Sequence, residues 1–364
     1  MREGPQDIPW PAKSLPDRAS ASVGERHTEA VTIKRIVAIG ASSGGIEALT
    51  TIAAGLPEDF PAALCVVLHT SPDSPGTLDR ILARGGRLPA TTAESGMRMR
   101  EGHIYVAPPD HHLLIEPGVL TLSKGARENR FRPAIDPLFR SAAQVYGAAT
   151  IGVVLTGGLD DGSAGLRVVK QLGGIAVVQD PDDALFPSMP RSALHHVAVD
   201  FVVPVRDMAA LLSRLVAMPV TGEATSPQED LEVEVRIARG ENAVRAGVEQ
   251  IGEPSLFACP ECHGVLLGLK DSRPARFRCH TGHAYTMTTL VAAMNEAIED
   301  GLWTSVRVLE EAALVMRHIA AHQDGVGGEL GDADCSAQAE DAHRQSEVIR
   351  GVVQARQALR VGAE

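Results

Sequence analysis

Aromatic residues are scarce in this chain, at 3% of its 364 residues. The core must therefore be aliphatic, and 44% hydrophobic residues are enough to build one, which excludes wholesale disorder. Cysteine is also sparse. The odd count of five argues against a disulfide framework and favours a cytoplasmic location. We expect Cys65 in the core and Cys335 in an exposed polar loop, whereas Cys259, Cys262 and Cys279 form a cluster along the chain.

Basic residues are outnumbered by acidic ones, 34 to 46, which gives a formal net charge of −12. This balance argues against a nucleic-acid partner and against a basic membrane anchor. No stretch approaches the ~20 apolar residues of a membrane-spanning helix, so no direct membrane insertion is expected. Residues 1–32 lack the apolar stretch of a signal peptide and carry four prolines in their first 16 positions. We predict that they are disordered.

From residue 33 onward, short aliphatic runs alternate with helical patterns. The clearest runs are IVAIGA at 36–41, ALCVVLH at 63–69 and TIGVVLTG at 150–157. Continuous apolar strands between helices are typical of a parallel sheet covered on both faces. We predict an α/β domain over residues 33–215, with a doubly wound, mostly parallel, Rossmann-like sheet.

The composition changes after this domain. Residues 216–256 are rich in acidic side chains and are predicted to form a solvated linker with one short helix or strand. A zinc-ribbon-like unit is predicted at 257–285 and a helical region at 286–364. A heptad-like seam in that region predicts a helical hairpin. The seam consists of Leu302, Val306, Leu309, Ala313 and Met316.

A glycine-rich turn follows the first predicted strand. Gly40-x-Ser42-x-Gly44 fits a nucleophile elbow, in which the serine sits on a sharp strand-to-helix turn. Dinucleotide binding is a second interpretation, but Ile46 stands where that motif needs its last glycine, and no Tyr-x-x-x-Lys pair is present. A plain turn with a serine N-cap is the third. The segment alone leaves the nucleophile and the plain turn open.

Two further polar residues follow predicted strands. His69 ends the second strand, and Asp161 follows the strand at 150–157. The carboxyl ends of parallel strands share one edge of a sheet, so Ser42, His69 and Asp161 are expected on one rim. A serine nucleophile needs a base, and the base needs an orienting acid. The alternatives are a strand-end histidine and an aspartate that caps the helix starting near Ser163.

Five collinear motifs resemble the catalytic domain of the chemotaxis protein-glutamate methylesterases (CheB type), over about Lys34 to Leu212. They are IVAIGASSGGIEAL, VVLHTSPDSPGTL, RPAIDPLF, LTGGLDDGSAGL and VQDPDDALFPSMPRSAL. The resemblance implies a hydrolase-like α/β domain with Ser42 as nucleophile, His69 as base and Asp161 as acid. It also implies an oxyanion pocket near Ser43 and Gly158.

The activity implied by the resemblance is hydrolysis of glutamyl γ-methyl esters, with glutamine deamidation, on methyl-accepting chemoreceptor proteins in chemotaxis or related adaptation signalling. No cofactor is expected for this catalysis. Members of the family usually begin with a receiver domain, for which the residues before the first strand are too few. A second departure is the loop Gly158-Leu159-Asp160, where the family commonly has methionine, glycine and asparagine. Both departures leave an alternative: a catalytically slack signalling protein that binds other signalling proteins through its C-terminal helices.

A basic loop containing Arg127, Arg130 and Arg132 is expected near the rim from the order of the motifs. We interpret it as a solvated face. Steering of acidic receptor helices is the alternative.

The cysteine cluster has the spacing of a metal site. Cys-x-x-Cys at 259–262 is followed by Cys-x-x-x-His at 279–283. Closed tetrahedral sets of thiolates and imidazoles hold structural zinc. We predict structural Zn²⁺ on Cys259, Cys262, Cys279 and His283, with His280 and His263 as alternatives for the fourth ligand. The alternative is that the three cysteines are free thiols in a small hydrophobic patch.

Overall fold

Seven short strands, most of them apolar, assemble into one parallel sheet in the computed structural model of the chain. The structure describes residues 33–220, 229–270, 272–321, 332–357 and 359. The predicted disorder of residues 1–32 lies outside the described residues. The strands are β1 (Ile36–Ala41), β2 (Ala63–Leu68), β3 (Ala90–Thr92), β4 (His103–Val106), β5 (His112–Glu116), β6 (Val119–Ser123), β7 (Thr150–Val154), β8 (Ile175–Gln179), β9 (Phe201–Val203), β10 (Gly252–Ala258), β11 (Val265–Leu269), β12 (Arg276–Cys279) and β13 (Ala284–Thr286).

The helices connect and cover these strands. They are α1 (Gly45–Gly55), α2 (Leu78–Gly85), α3 (Ile135–Tyr146), α4 (Ser163–Gln171), α5 (Ser188–His196), α6 (Val205–Ala217), α7 (Glu229–Ala238), α8 (Ala243–Ala246), α9 (Val248–Ile251), α10 (Met287–Ala321) and α11 (Asp332–Ala355). No helix within the described residues is both long and apolar enough to span a bilayer.

The main sheet has the strand order β3-β4-β2-β1-β7-β8-β9, and all of its pairings are parallel. Every residue of β1, β2 and β7 is buried, because helices cover both faces. Helices α1, α2 and α6 pack on one face through residues such as Leu49, Leu82 and Leu212. Helices α3, α4 and α5 pack on the other through Phe139 and Leu166 among others. The predicted doubly wound α/β fold is confirmed.

The strand order reverses at β1, since β2 and β7 lie on its two sides. In doubly wound sheets the crevice at such a switch point, outside the carboxyl ends of the strands, is where ligands bind. Ser42, His69 and Asp161 all follow strands at this edge.

The prediction of a solvated linker was wrong for residues 229–256, which form α7, α8, α9 and the start of β10. Leu231 and Val235 of α7 join the core on the α3 side of the sheet. Glu234, on the same helix, is 5% exposed. It is buried because Arg140, Arg276 and Arg278 surround its carboxylate, a pairing between distant segments that composition does not reveal.

A second, four-stranded antiparallel sheet has the order β10-β11-β12-β13. It leads into α10 and α11, which pack as an antiparallel hairpin: Asn295 near the start of α10 bonds the backbone of Leu359 beyond the end of α11. The predicted seam faces the partner helix, with Val306 and Ala313 buried. The expectation for Cys335 was wrong, because this residue lies in α11 and is 1% exposed.

Candidate active site

Ser42 stands at the tip of the turn between β1 and α1. Its amide donates to the carbonyl of Thr156 at 3.0 Å, and its own carbonyl accepts from the amide of Gly45 at 2.8 Å. Gly44 precedes α1 with φ +76°, in the left-handed region that favours glycine. The turn therefore presents the Ser42 hydroxyl above the carboxyl edge of the sheet.

His69 lies between Ser42 and Asp161. Its Nδ1 is 3.2 Å from Ser42 Oγ, and its Nε2 is 2.8 Å from Asp161 Oδ2. An ionised carboxylate only accepts hydrogen bonds, so Nε2 carries the proton and the lone pair of Nδ1 faces the serine. The His69 side chain is 2% exposed, so the imidazole is largely shielded from solvent.

Asp161 is 1% exposed and accepts hydrogen bonds on both oxygens. Besides His69, Oδ2 accepts from the amide of Ile135 at 2.7 Å, while Oδ1 accepts from Asn129 Nδ2 at 2.8 Å. Burial opposes its ionisation most strongly, but the hydrogen bonds from His69, Ile135 and Asn129 outweigh it. The pKa of Asp161 is therefore held below its usual value, and the carboxylate stays charged beside the imidazole.

An open cleft of about 650 Å³ lies over the serine and the histidine. Ser43 is exposed on its wall, and its carbonyl accepts from Thr156 Oγ1 at 3.0 Å. Gly158 has open space where a Cβ would stand, with no heavy atom within 4 Å. Its neighbour Gly157 has no room for a side chain, because a Cβ there would lie 2.8 Å from Ser42 Cβ. The glycine at 157 lets this loop pass directly behind the serine.

The predicted basic loop lines the same cleft with Arg127, Arg130 and Arg132. Arg132 donates to Asp110 Oδ1 at 2.6 Å, and Arg130 pairs with Glu296 of α10. The loop is thus partly neutralised, and it contributes cations to the mouth of the cleft.

Comparison with known proteins identifies the family of this domain. Residues 37–212 match the family model described as CheB methylesterase. Over 180 residues the chain is 43% identical to a Leptospira interrogans protein named "Putative protein-glutamate methylesterase/protein-glutamine glutaminase", covering 49% of this chain and 93% of that relative. The chain belongs to the CheB methylesterase family.

Two further similar proteins each cover half of this chain. The protein-glutamate methylesterase/protein-glutamine glutaminase 2 of Anaeromyxobacter dehalogenans is 41% identical over 180 residues, covering 50% of this chain and 53% of that protein. The crystal structure of the Thermotoga maritima CheB methylesterase catalytic domain shares 35% identity, covers 50% of this chain and 98% of that one, and superposes with a TM-score of 0.48. The family match ends before α7, so the second sheet and the hairpin lie outside it.

This CheB-family chain also has a Cys/His cluster that could hold a metal ion. The ligand atoms of Cys259, Cys262, Cys279 and His283 all lie within 4.8 Å of one another. His283 Nδ1 is 3.6 Å from the sulfurs of Cys259 and Cys279, and the sulfurs of Cys262 and Cys279 are 3.6 Å apart. The alternatives His280 and His263 are not part of this cluster.

The sequence did not predict the residues that contact His69, Asp160 and Asp161 from elsewhere in this CheB-family chain. Asn129 and Phe131 contact Asp161 and His69, and both lie in a loop without periodicity. Thr286 reaches the site from the second sheet, where its hydroxyl donates to Asp160 at 2.8 Å. The one available signal was the segment ENRFR, which overlaps RPAIDPLF at Arg132 and belongs to the loop predicted to be a solvated face.

Proposed function

We propose that this CheB-family protein hydrolyses glutamyl γ-methyl esters, and deamidates glutamine, on methyl-accepting chemoreceptor-type proteins in chemotaxis or a related adaptation pathway. The observation that carries the proposal is the hydrogen-bonded series Ser42–His69–Asp161, whose first two members line an open cleft. The names of the relatives, protein-glutamate methylesterase/protein-glutamine glutaminase, support the same reaction.

In the first half of the reaction, Ser42 Oγ attacks the ester carbonyl while His69 Nδ1 takes the hydroxyl proton. Asp161 keeps the other ring nitrogen protonated and stabilises the imidazolium that forms. Amides near Ser43 and Gly158 stabilise the oxyanion, a type of interaction that contributes roughly 3 kcal/mol per donor.

Collapse of the tetrahedral intermediate breaks the bond to the methoxy group, which leaves as methanol with the proton from His69. Water then attacks the acyl-enzyme, with His69 as base again, and releases the glutamate carboxylate and free Ser42. A glutamine substrate would follow the same path and release ammonia. Every proton transfer is made by His69, so the scheme uses no cofactor.

Methanol release from a methylated receptor cytoplasmic fragment tests this proposal. We expect Ser42→Ala to reduce the rate by at least about a thousand-fold, because the acyl-enzyme cannot form. Ser213→Ala is a matched control, since that hydroxyl donates to the carbonyl of Ala209 within α6 and Ser213 does not line the cleft. Equal rates for wild type and Ser42→Ala would overturn the enzymatic proposal.

That outcome would favour the second candidate, a catalytically slack signalling protein that binds partners through its C-terminal helices. The observation behind it is the exposure of apolar side chains on the hairpin, such as Leu314 at 62% and Val348 at 68%. Isolated exposed apolar residues are common, so this observation is weaker than the series at the cleft.

We also propose that Cys259, Cys262, Cys279 and His283 bind structural Zn²⁺. With Zn–S bonds of ~2.3 Å, tetrahedral ligands lie ~3.8 Å apart, close to the 3.6 Å separations of these atoms. His283 Nε2 faces Glu261 Oε2 at 3.3 Å, the carboxylate–histidine arrangement that orients zinc ligands. All four positions are filled by protein, so the ion would be structural, and a cytoplasmic location suits these reduced thiols.

Elemental analysis of the purified protein tests the metal proposal, with about one zinc per chain expected. Cys259→Ser should lose the ion, whereas Cys335→Ser, outside the cluster, should keep it. A wild-type protein that is folded and free of metal would contradict the proposal.

A further inference from the structure

Two buried threonines, Thr286 at the end of β13 and Thr289 in the first turn of α10, cap each other. The amide of Thr289 donates to Thr286 Oγ1 at 3.0 Å, and the amide of Thr286 donates to Thr289 Oγ1 at 2.8 Å. This reciprocal pattern satisfies helix N-terminal donors in the manner of a capping box. Both residues are 0% exposed, although α10 projects from the second sheet. They are buried because they face the loops of the catalytic domain.

Both threonine hydroxyls form hydrogen bonds with residues of the catalytic domain. Thr289 Oγ1 donates to Asn129 Oδ1 at 3.2 Å, and the amide of Thr286 also approaches this oxygen at 3.2 Å. Thr286 Oγ1 donates to Oδ1 of Asp160, the residue next to the triad acid, at 2.8 Å. The backbone of Asn129 is tied to the same strand, because its amide donates to the carbonyl of Ala284 at 2.8 Å.

The other end of the Asn129 amide group faces carboxylates. Its Nδ2 donates to Asp161 Oδ1 at 2.8 Å and to Asp136 Oδ2 at 2.9 Å. A rotated amide would place its oxygen against two carboxylates and its NH₂ against the donors of Thr286 and Thr289. The threonines therefore select the orientation in which Asn129 donates to Asp161.

We infer that Thr286 and Thr289 are positioning residues of the active site, which act through Asn129 to hold Asp161 and thereby the imidazole of His69. The inference rests on the proposed esterase function. It makes the C-terminal region a contributor to catalysis, with an unbroken series of hydrogen bonds from the start of α10 to Ser42. Both threonines lie outside residues 37–212, which match the family model.

Conservative variants of Thr289 in the full-length protein test the inference. Thr289→Val keeps the shape and removes the hydroxyl, whereas Thr289→Ser keeps the hydroxyl. We expect kcat for methanol release to fall about 5- to 10-fold in the valine variant with KM unchanged, the size of one lost hydrogen bond, and to recover in the serine variant. Labelling of Ser42 by a fluorophosphonate probe should slow by the same factor.

A merely structural role predicts a different result, namely a lower unfolding temperature with an unchanged kcat per folded molecule. If Thr289→Val does not fold, Thr289→Ala, which leaves room for a water molecule, replaces it in the same comparison. The inference is overturned if the variant without the hydroxyl labels Ser42 at the wild-type rate, or if Thr289→Ser is as slow as Thr289→Val. A wild-type protein that neither releases methanol nor labels at Ser42 would overturn the proposed function itself, and this inference with it.

Discussion

The ring of Phe131 lies flat against the imidazole of His69, with ring centroids 3.7 Å apart and planes inclined by 9°. The ring nitrogens of His69 face Ser42 and Asp161, and these two contacts still allow the imidazole plane to tilt. The stacked phenyl ring restrains that tilt. Aromatic pairs of this kind contribute about 0.5–1.5 kcal/mol beyond the area that they bury.

Phe131→Leu should therefore lower kcat about 3- to 10-fold, because leucine fills space without offering a flat face. Phe131→Tyr is the matched control, since it retains the ring at the edge of an open cleft, and it should stay close to wild type. Methanol release and the rate of fluorophosphonate labelling measure both variants. Full activity in Phe131→Leu would show that the stack does not orient His69.

The loop behind Ser42 provides a second prediction. A Cβ at Gly157 would lie 2.1 Å from Met189 Sδ and 2.8 Å from Ser42 Cβ, so Gly157→Ala must displace Ser42 or Met189. We expect a loss of ten-fold or more in kcat, in line with the ~100-fold cost of a displacement of about 1 Å. Gly158→Ala, where no atom lies within 4 Å of a Cβ, should cost much less. Equal losses at the two positions would contradict this account.

The sequence predicted those parts of the structure that are set by local pattern. Apolar runs located β1 and β2 to within one residue, and the rule that parallel strands share a carboxyl edge brought Ser42, His69 and Asp161 to one rim. These residues are hydrogen-bonded in the structure, while their catalytic roles remain a prediction. The Cys-x-x-x-His spacing selected His283, the histidine that joins the cysteines.

Polar contacts between distant segments could not be predicted from the sequence. Glu234 belongs to an acidic segment, which predicted exposure, but Arg278, 44 positions along the chain, neutralises it in the interior. Asn129 and Thr286 are 157 positions apart and carry no periodicity, so nothing in either segment indicates that they meet. Such pairs depend on how the second sheet packs against α7 and the loop before α3, which follows from the complete fold.

Breaking the buried ionic cluster that joins these elements should be strongly destabilising. Glu234 accepts from Arg278 at 3.1 Å and also pairs with Arg276 and Arg140. Removing one partner of a buried pair typically costs about 3–5 kcal/mol, because the remaining charges stay buried. Glu234→Gln should lower the free energy of unfolding in urea by about that amount. Glu241→Gln, which breaks an exposed pair with Arg236, should change it little.

The effect of Glu234→Gln should also depend on pH in a defined direction. Burial raises the pKa of Glu234, but Arg276, Arg140 and Arg278 outweigh it and hold the pKa well below its usual value. The carboxylate therefore contributes stability above the ordinary glutamate pKa of 4.5, and this contribution is lost as the pH falls below it. Unfolding curves of wild type and Glu234→Gln should converge in acid. A difference that persists unchanged at low pH would refute the ionic explanation.

Asp160 should show the opposite dependence. Burial is the main reason that its pKa rises from 3.8 to about 6, with the hydrogen bond from Thr286 opposing the rise. A raised carboxyl pKa costs stability as the pH increases from about 4 to about 6, because the folded protein holds the proton more tightly than the unfolded chain. Asp160→Asn keeps an acceptor for Thr286 and should increase the free energy of unfolding at pH 8 by roughly 2–3 kcal/mol. The gain should disappear below pH 4, and a gain independent of pH would exclude this cause.

Glu261 should strengthen metal binding without contacting the ion. Its Oε2 lies 3.3 Å from His283 Nε2, and its Oε1 accepts from the hydroxyl of Tyr285 at 3.0 Å, so the carboxylate fixes the ring that presents Nδ1 to the cysteines. Outer carboxylates of this type contribute about 10- to 100-fold to metal affinity, and Glu261→Gln retains an acceptor without the charge. We expect about a ten-fold weaker Kd for Zn²⁺ in competition with a chromophoric chelator.

Glu253→Gln is the matched control for Glu261→Gln. It makes the same charge change in the same sheet, on a side chain that is 78% exposed and 3.9 Å from Lys270 Nζ. Its zinc affinity should equal that of wild type, because no bonded path links Glu253 to the ligand atoms. If both variants weaken zinc binding equally, the cause is the loss of a negative charge anywhere in this sheet, and the contact with His283 plays no special part. If only Glu261→Gln does so, the contact with His283 is responsible, and His283 rather than His280 or His263 is the fourth ligand.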